Sequence, residues 1–122
     1  MNYQDKKIAV FGASEDPSKY GYKILTELAA NGLDVYGINP KGGHVKGHTF
    51  FPSLAEVPTS IDVAIMVVPP VALDGAVAQC VAAGVREIWF QPGARSERAY
   101  QAAQQAGIKA VNSCFMAENG FW

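Results

Sequence analysis

Residues 8–25, IAVFGASEDPSKYGYKIL, decide the fold. A strand-like run, Ile8-Ala9-Val10-Phe11, turns at Gly12 and passes into a helical pattern, as the first βα unit of a dinucleotide-binding sheet does. The match is incomplete. Ser14 stands where a second glycine would complete G-x-G-x-x-G, and Pro17 stands where the third would be. The turn promises an anion-binding corner without the full nicotinamide-dinucleotide pattern.

The same alternation continues downstream. Apolar runs rich in β-branched residues recur at 7–11, 34–38, 63–68 and 87–90, with a shorter one at 110–111. Helical patterns separate most of them. Ile24, Leu25, Leu28 and Ala29 make one apolar stripe that Asn31-Gly32 ends. Leu73, Ala76, Val77, Cys80 and Val81 make a second, ended by Gly84. A third helix runs from Ser96 as N-cap to Gly107 as stop.

Strands and helices in this rhythm predict an α/β fold: a Rossmann-like, doubly wound parallel sheet of about five strands in a three-layer α/β/α sandwich. The expected strand order is 3-2-1-4-5, with right-handed crossovers. The run IDVAIMVV is apolar almost throughout, as a central strand buried on both faces requires. Residues 39–58 lack a clean helix. They read as a long functional loop with a short edge strand near Thr49-Phe50 and a single helical turn at 53–56.

Bulk properties bound the function. The 122 residues, 49% of them hydrophobic, suffice for one domain spanning 1–122. Ten Lys and Arg against eleven Asp and Glu give no overall field for nucleic acid or an anionic membrane, so neither is expected as a partner. No apolar run is long enough to span a bilayer, and MNYQDKK lacks the apolar core of a signal peptide, which makes the cytoplasm the expected location. Cys80 and Cys114 are too few and too isolated for a disulfide framework and are read as reduced thiols, Cys80 in the core.

Ligands of such sheets bind outside the carboxyl ends of the strands, where strand order reverses. That rule selects residues 12–20, 39–48, 69–71 and 91–95, the last including Gln91 and Gly93. In the first segment, backbone N–H groups and a helix N-terminus favour a phosphate, with the Ser14 hydroxyl, Lys19 and Tyr20 beside it. The alternative there is an ordinary tight turn with Ser18 as N-cap. In the second, Ile38-Asn39-Pro40-Lys41 lacks the carboxylate that holds the ribose of NAD, and Lys41, His44, Lys46 and His48 follow within eight residues. A ligand with a phosphorylated ribose is favoured, which admits coenzyme A and NADP; the missing glycines count against NADP. His44 and His48 lie in a Gly-rich loop that will not hold helical spacing, so no metal site is assigned to them.

Together, VFGASEDPSKYGYKILTEL, YGINPK, IDVAIMVVPP, GVREIWFQPG and NSCFM resemble, in this order, the small stand-alone CoA-binding proteins related to the N-terminal domain of the succinyl-CoA synthetase α subunit. The resemblance runs from about Lys6 to Met116. It implies that the CoA phosphates lie on Gly12, Ala13 and Ser14. It also implies that Lys41 is similar to the lysine of a Pro-Gly-Lys-Gly-Gly turn, here with one glycine missing before it. Val68-Pro69-Pro70 is similar to the turn that lines the nucleotide cleft. The synthetase carries a second domain with a phosphorylated histidine, and this sequence stops at Trp122 before any such domain, so ligase activity is not expected.

No catalytic constellation is legible. The leading reading is a non-catalytic module that binds CoA or an acyl-CoA, with the adenosine end at the corner formed by Asn39, Pro40 and Lys41. The alternatives are an NAD(P)-binding redox sensor on the same fold and an enzyme acting on a CoA thioester through Cys114. Phe121 and Trp122 are costly to expose, so they are expected to pack back onto a monomer or to meet a second copy in a homodimer.

Overall fold

The computed structural model describes residues 3–122. β1 (Lys7–Phe11) leads through α1 (Tyr20–Ala30) to β2 (Asp34–Ile38), followed by a hairpin of β3 (His44–Val45) and β4 (His48–Thr49). Next come β5 (Val63–Met66), α2 (Leu73–Ala83), β6 (Glu87–Phe90), α3 (Glu97–Gln105), β7 (Lys109–Asn112) and the single turn α4 (Phe115–Glu118). Five strands form a parallel sheet in the order β2-β1-β5-β6-β7.

The period of two along each central strand divides the core into two layers. Ala9, Phe11, Ala64, Met66, Ile88 and Phe90 pack with Leu73, Val77 and Cys80 of α2 and with Ala99 and Ala103 of α3. The intervening Ile8, Val10, Val63, Ile65 and Trp89 pack with Ile24, Leu25 and Leu28 of α1 and with Phe115 and Met116 of α4. The result is the three-layer α/β/α sandwich. β5 is buried at every position, which explains its unbroken apolar sequence. Leu28 is fully buried, and truncating such a side chain to alanine costs about 2–5 kcal/mol.

Local signals end the helices. Gly84, at φ +75°, accepts the left-handed turn that closes α2. Ser96 Oγ accepts the Ala99 N–H at 3.3 Å and caps α3.

The segment after β2 departs from the expected edge strand. His48-Thr49 turns back onto His44-Val45 through Lys46-Gly47, both at positive φ (49° and 86°), the geometry of a type I′ hairpin. Only Phe51 reaches the main sheet, through one parallel bridge to Ile38. The expected order 3-2-1-4-5 therefore holds with its third strand reduced to a single residue, while the 110–111 run widens into β7 at the opposite edge. The expected strand 63–68 ends at Met66; the Val67 N–H still donates to Phe11 O at 2.9 Å, and Pro69 and Pro70, which lack N–H groups, bar the ladder from going further. Phe121 folds back, its ring stacked on Phe115 at 6.1 Å and its N–H donating to Met116 O at 2.8 Å. Trp122 lies against Tyr20, ring centroids 5.8 Å apart, and stays half exposed.

Candidate functional site

After β1 the chain winds outward to β2 and then returns across the sheet to β5, so strand order reverses between β1 and β5. Backbones crowd together at that point. Gly12, at φ +93°, lies so near Val67 that a Cβ on it would stand 2.4 Å from the Val67 carbonyl oxygen. A Cβ on Gly21, one residue into α1, would stand 1.9 Å from the Gly12 carbonyl oxygen. Gly21 thus supplies the close helix–strand packing that the third glycine supplies in a dinucleotide turn. It sits one helical turn beyond the position the motif predicts. A glycine inside a helical pattern was the available signal.

The loop between these glycines holds itself in shape. Ser14 Oγ accepts the Asp16 N–H at 3.0 Å, and Asp16 Oδ1 accepts the Ser18 N–H and hydroxyl at 2.9 and 2.8 Å. Those bonds from Ser18 hold the Asp16 carboxyl below its ordinary pKa. Ser18 is consequently not the N-cap of α1, contrary to the alternative reading of this turn. Lys19 occupies that position and no side chain caps the helix. The Tyr20, Gly21 and Tyr22 N–H groups have no acceptor among the described residues. They are donors at the positive end of an eleven-residue helix.

The second loop is stitched to the first. Ile38 O accepts the Gly12 and Ala13 N–H groups at 3.0 and 3.3 Å. Asn39 Nδ2 donates to Ala13 O at 2.9 Å, and Asn39 Oδ1 accepts the Lys41 N–H at 2.9 Å. Glu15 accepts the His44 N–H at 2.8 Å, which ties the hairpin to the same loop. Ala13 is fully buried. Lys41 is exposed and makes no ion pair among the described residues.

Past β6, Gln91 is buried and joins the sheet edge to α4: Oε1 accepts the Phe115 N–H at 2.7 Å, and Nε2 donates to Cys114 Sγ at 3.4 Å. Cys114 also accepts the Ala117 N–H at 3.5 Å, so its thiol caps α4. Cys80 lies deep under α2, and burial pushes its thiol up to about 12.

Two clefts open on this edge. The first, about 390 Å³, lies between the start of α1, Val67 to Pro69, and Pro92 to Ala94. Of the residues read from the sequence, it brings together Gly12, Lys19, Tyr20, Val68, Pro69 and Gly93. Ala13, Ser14, Asn39, Pro40, Lys41 and Pro70 do not line it. The second, about 240 Å³, is bounded by Ile24, Gln91, Cys114 and Trp122 and shares Tyr20, Val67 and Pro92 with the first. Sequence reasoning missed this second cleft, because Ile24 and Trp122 meet only through tertiary packing.

Comparison with known proteins agrees with the fold. The CoA binding domain model matches residues 6–120. The chain belongs to this family. It is 32% identical over 120 residues to acetate-CoA ligase (ADP-forming) I of Archaeoglobus fulgidus, covering 89% of this chain and 17% of the ligase. It is 34% identical over 92 residues to the α subunit of acetate-CoA ligase (ADP-forming) I of Pyrococcus furiosus, covering 70% and 20%. The chain thus spans about a fifth of the length of these relatives. Among solved structures, a hypothetical protein from Pyrococcus horikoshii OT3 superposes with a TM-score of 0.89 at 35% identity, covering 93% of this chain and 81% of that one. This CoA-binding domain therefore shares its fold with a protein of similar size as well as with one region of larger ligases.

Proposed function

We propose that this domain binds coenzyme A or an acyl-CoA in the cleft between β1 and β5, as a non-catalytic binding or sensing module of the cytoplasm. The observation that carries the reading is the uncapped start of α1. The Tyr20 and Gly21 N–H groups, without acceptors among the described residues, and Lys19 line a cleft that Gly12 and Gly93 also line, a fit for a diphosphate. The Gly12 and Ala13 N–H groups are taken by Ile38, so the helix start, and not the loop before it, carries the phosphates. Lys41, exposed and without an ion-pair partner among the described residues, on the loop that Asn39 fastens to Ala13, takes the ribose 3′-phosphate. Val68, Pro69 and Gly93 form the apolar wall opposite. Membership of the CoA binding family supports the choice of ligand, as does similarity to acetate-CoA ligases.

The end of β2 weighs against the dinucleotide alternative. The strand ends in Asn39 in place of a carboxylate, and the Asn39 side chain is engaged at both its oxygen and its nitrogen. Calorimetric titration with CoA, 3′-dephospho-CoA, NAD and NADP at one ionic strength tests the proposal. CoA is expected to bind, and dephospho-CoA to bind more weakly. Binding of NADP with none of CoA would sink it.

A further inference from the structure

We propose that the second cleft is an acyl pocket, and that the domain prefers CoA thioesters of medium-chain or aromatic acids over free CoA. This rests on the CoA reading of the first cleft. The two clefts share Tyr20, Val67 and Pro92 as walls, so a ligand whose diphosphate lies at the start of α1 can continue into the second without leaving the protein.

The lining of the second cleft suits an apolar group. Ile24, Val67, Pro92 and the Trp122 ring form most of it. Its volume of about 240 Å³ exceeds the roughly 150 Å³ of a dry cavity that accepts benzene, so it holds far more than an acetyl group. Tyr20 and Trp122 are 62% and 53% exposed, which is unusual for large apolar rings already in mutual contact, and an acyl group in the cleft would shield both.

One buried polar group gives the pocket an orientation. Gln91 Nε2 carries two N–H bonds; one reaches Cys114 Sγ and the other has no partner among the described residues. That free donor suits a thioester carbonyl oxygen, with the hydrocarbon directed toward Ile24 and Trp122. A few precise polar contacts in an apolar lining are what small-molecule sites use to fix a pose.

The test is calorimetry with CoA, acetyl-CoA, hexanoyl-CoA and benzoyl-CoA on the wild-type chain and on Trp122→Ala, with a thermal melt confirming that the variant is folded. Burial of a methylene is worth about fourfold in affinity, so hexanoyl-CoA is expected to bind at least about tenfold more tightly than acetyl-CoA. In Trp122→Ala that ratio is expected to fall to within about threefold of unity. Equal affinity for CoA and all its thioesters overturns the acyl pocket and leaves the CoA reading standing. A preference that survives Trp122→Ala overturns the assignment to this cleft. Absence of binding by every one of these ligands removes the CoA reading and the pocket with it.

Discussion

The Cα of Gly21 rests against the carbonyl oxygen of Gly12, with 1.9 Å between that oxygen and the place a Cβ would occupy. Both atoms are backbone, so neither can swing aside as a side-chain tip does. This contact brings the start of α1 down onto the end of β1 and sets the height of the cleft above the sheet.

Gly21→Ala is expected to destabilise the domain by about 3 kcal/mol, the upper end of what overpacking costs, and to abolish CoA binding in whatever remains folded. Gly75 is the internal control. It is exposed on α2 with nothing within 4 Å of its would-be Cβ, and Gly75→Ala is expected to stabilise by about 0.5–1 kcal/mol. Urea melts of the two variants give opposite signs if the contact is as described.

Charge changes at the two loops separate the two phosphate positions. Lys19→Ala is expected to weaken CoA and 3′-dephospho-CoA alike, by about tenfold, as loss of one charge-assisted bond does. Lys41→Ala is expected to weaken CoA alone. Asn39→Asp keeps the acceptor for the Lys41 N–H, loses the donor to Ala13 O and adds a negative charge, so it too should cost CoA more than its dephospho form. Competition calorimetry with both ligands reads all three.

The thiols are expected to differ sharply. Cys114, partly exposed, should react with an alkylating reagent at pH 8 in the folded protein, while Cys80 reacts only on unfolding. The same burial gives a pH signature. The Cys80 pKa rises from 9.0 to about 12 on folding, so between those values the unfolded chain binds fewer protons than the native one. Stability is then complete below pH 9 and falls as pH rises toward 12, by at most about 1.4 kcal/mol per unit. Tyr3, raised by burial and by Glu87, adds the same sign above pH 10. Chemical melts from pH 7 to 11, with and without Cys80→Ala, isolate the cysteine's share.

Most of the fold was legible because its signals are local. Gly84, Ser96 and the unbroken apolar run of β5 each report their role within a few residues. Whatever depended on distances between elements was not legible. The motif's third glycine was sought at position 17, yet an extra helical turn of loop moved its packing role to Gly21. Thr49-Phe50 has strand composition, but two residues at positive φ turned that segment back on itself, and Phe50 instead packs against Gly37 and Gly43. The family resemblance implies phosphates on Gly12 and Ala13, while their N–H groups are occupied by Ile38. The cleft at Gly12, Val68, Pro69 and Gly93 was found because the reversal of strand order is itself a sequence-level inference.

That reversal has a kinetic consequence. The pairing of β1 with β5 joins distant parts of the chain: Ile8 pairs with Val63, and just before it the Asp62 N–H donates to Lys7 O at 2.9 Å. Non-local pairings of this kind form late, after the cost of closing a long loop has been met. The floor of the cleft exists only once β1 and β5 lie side by side, so a ligand has little to grip in the folding transition state. Saturating ligand should therefore leave the refolding rate nearly unchanged and slow unfolding instead, and its protection would appear as lengthened lifetime of the native state.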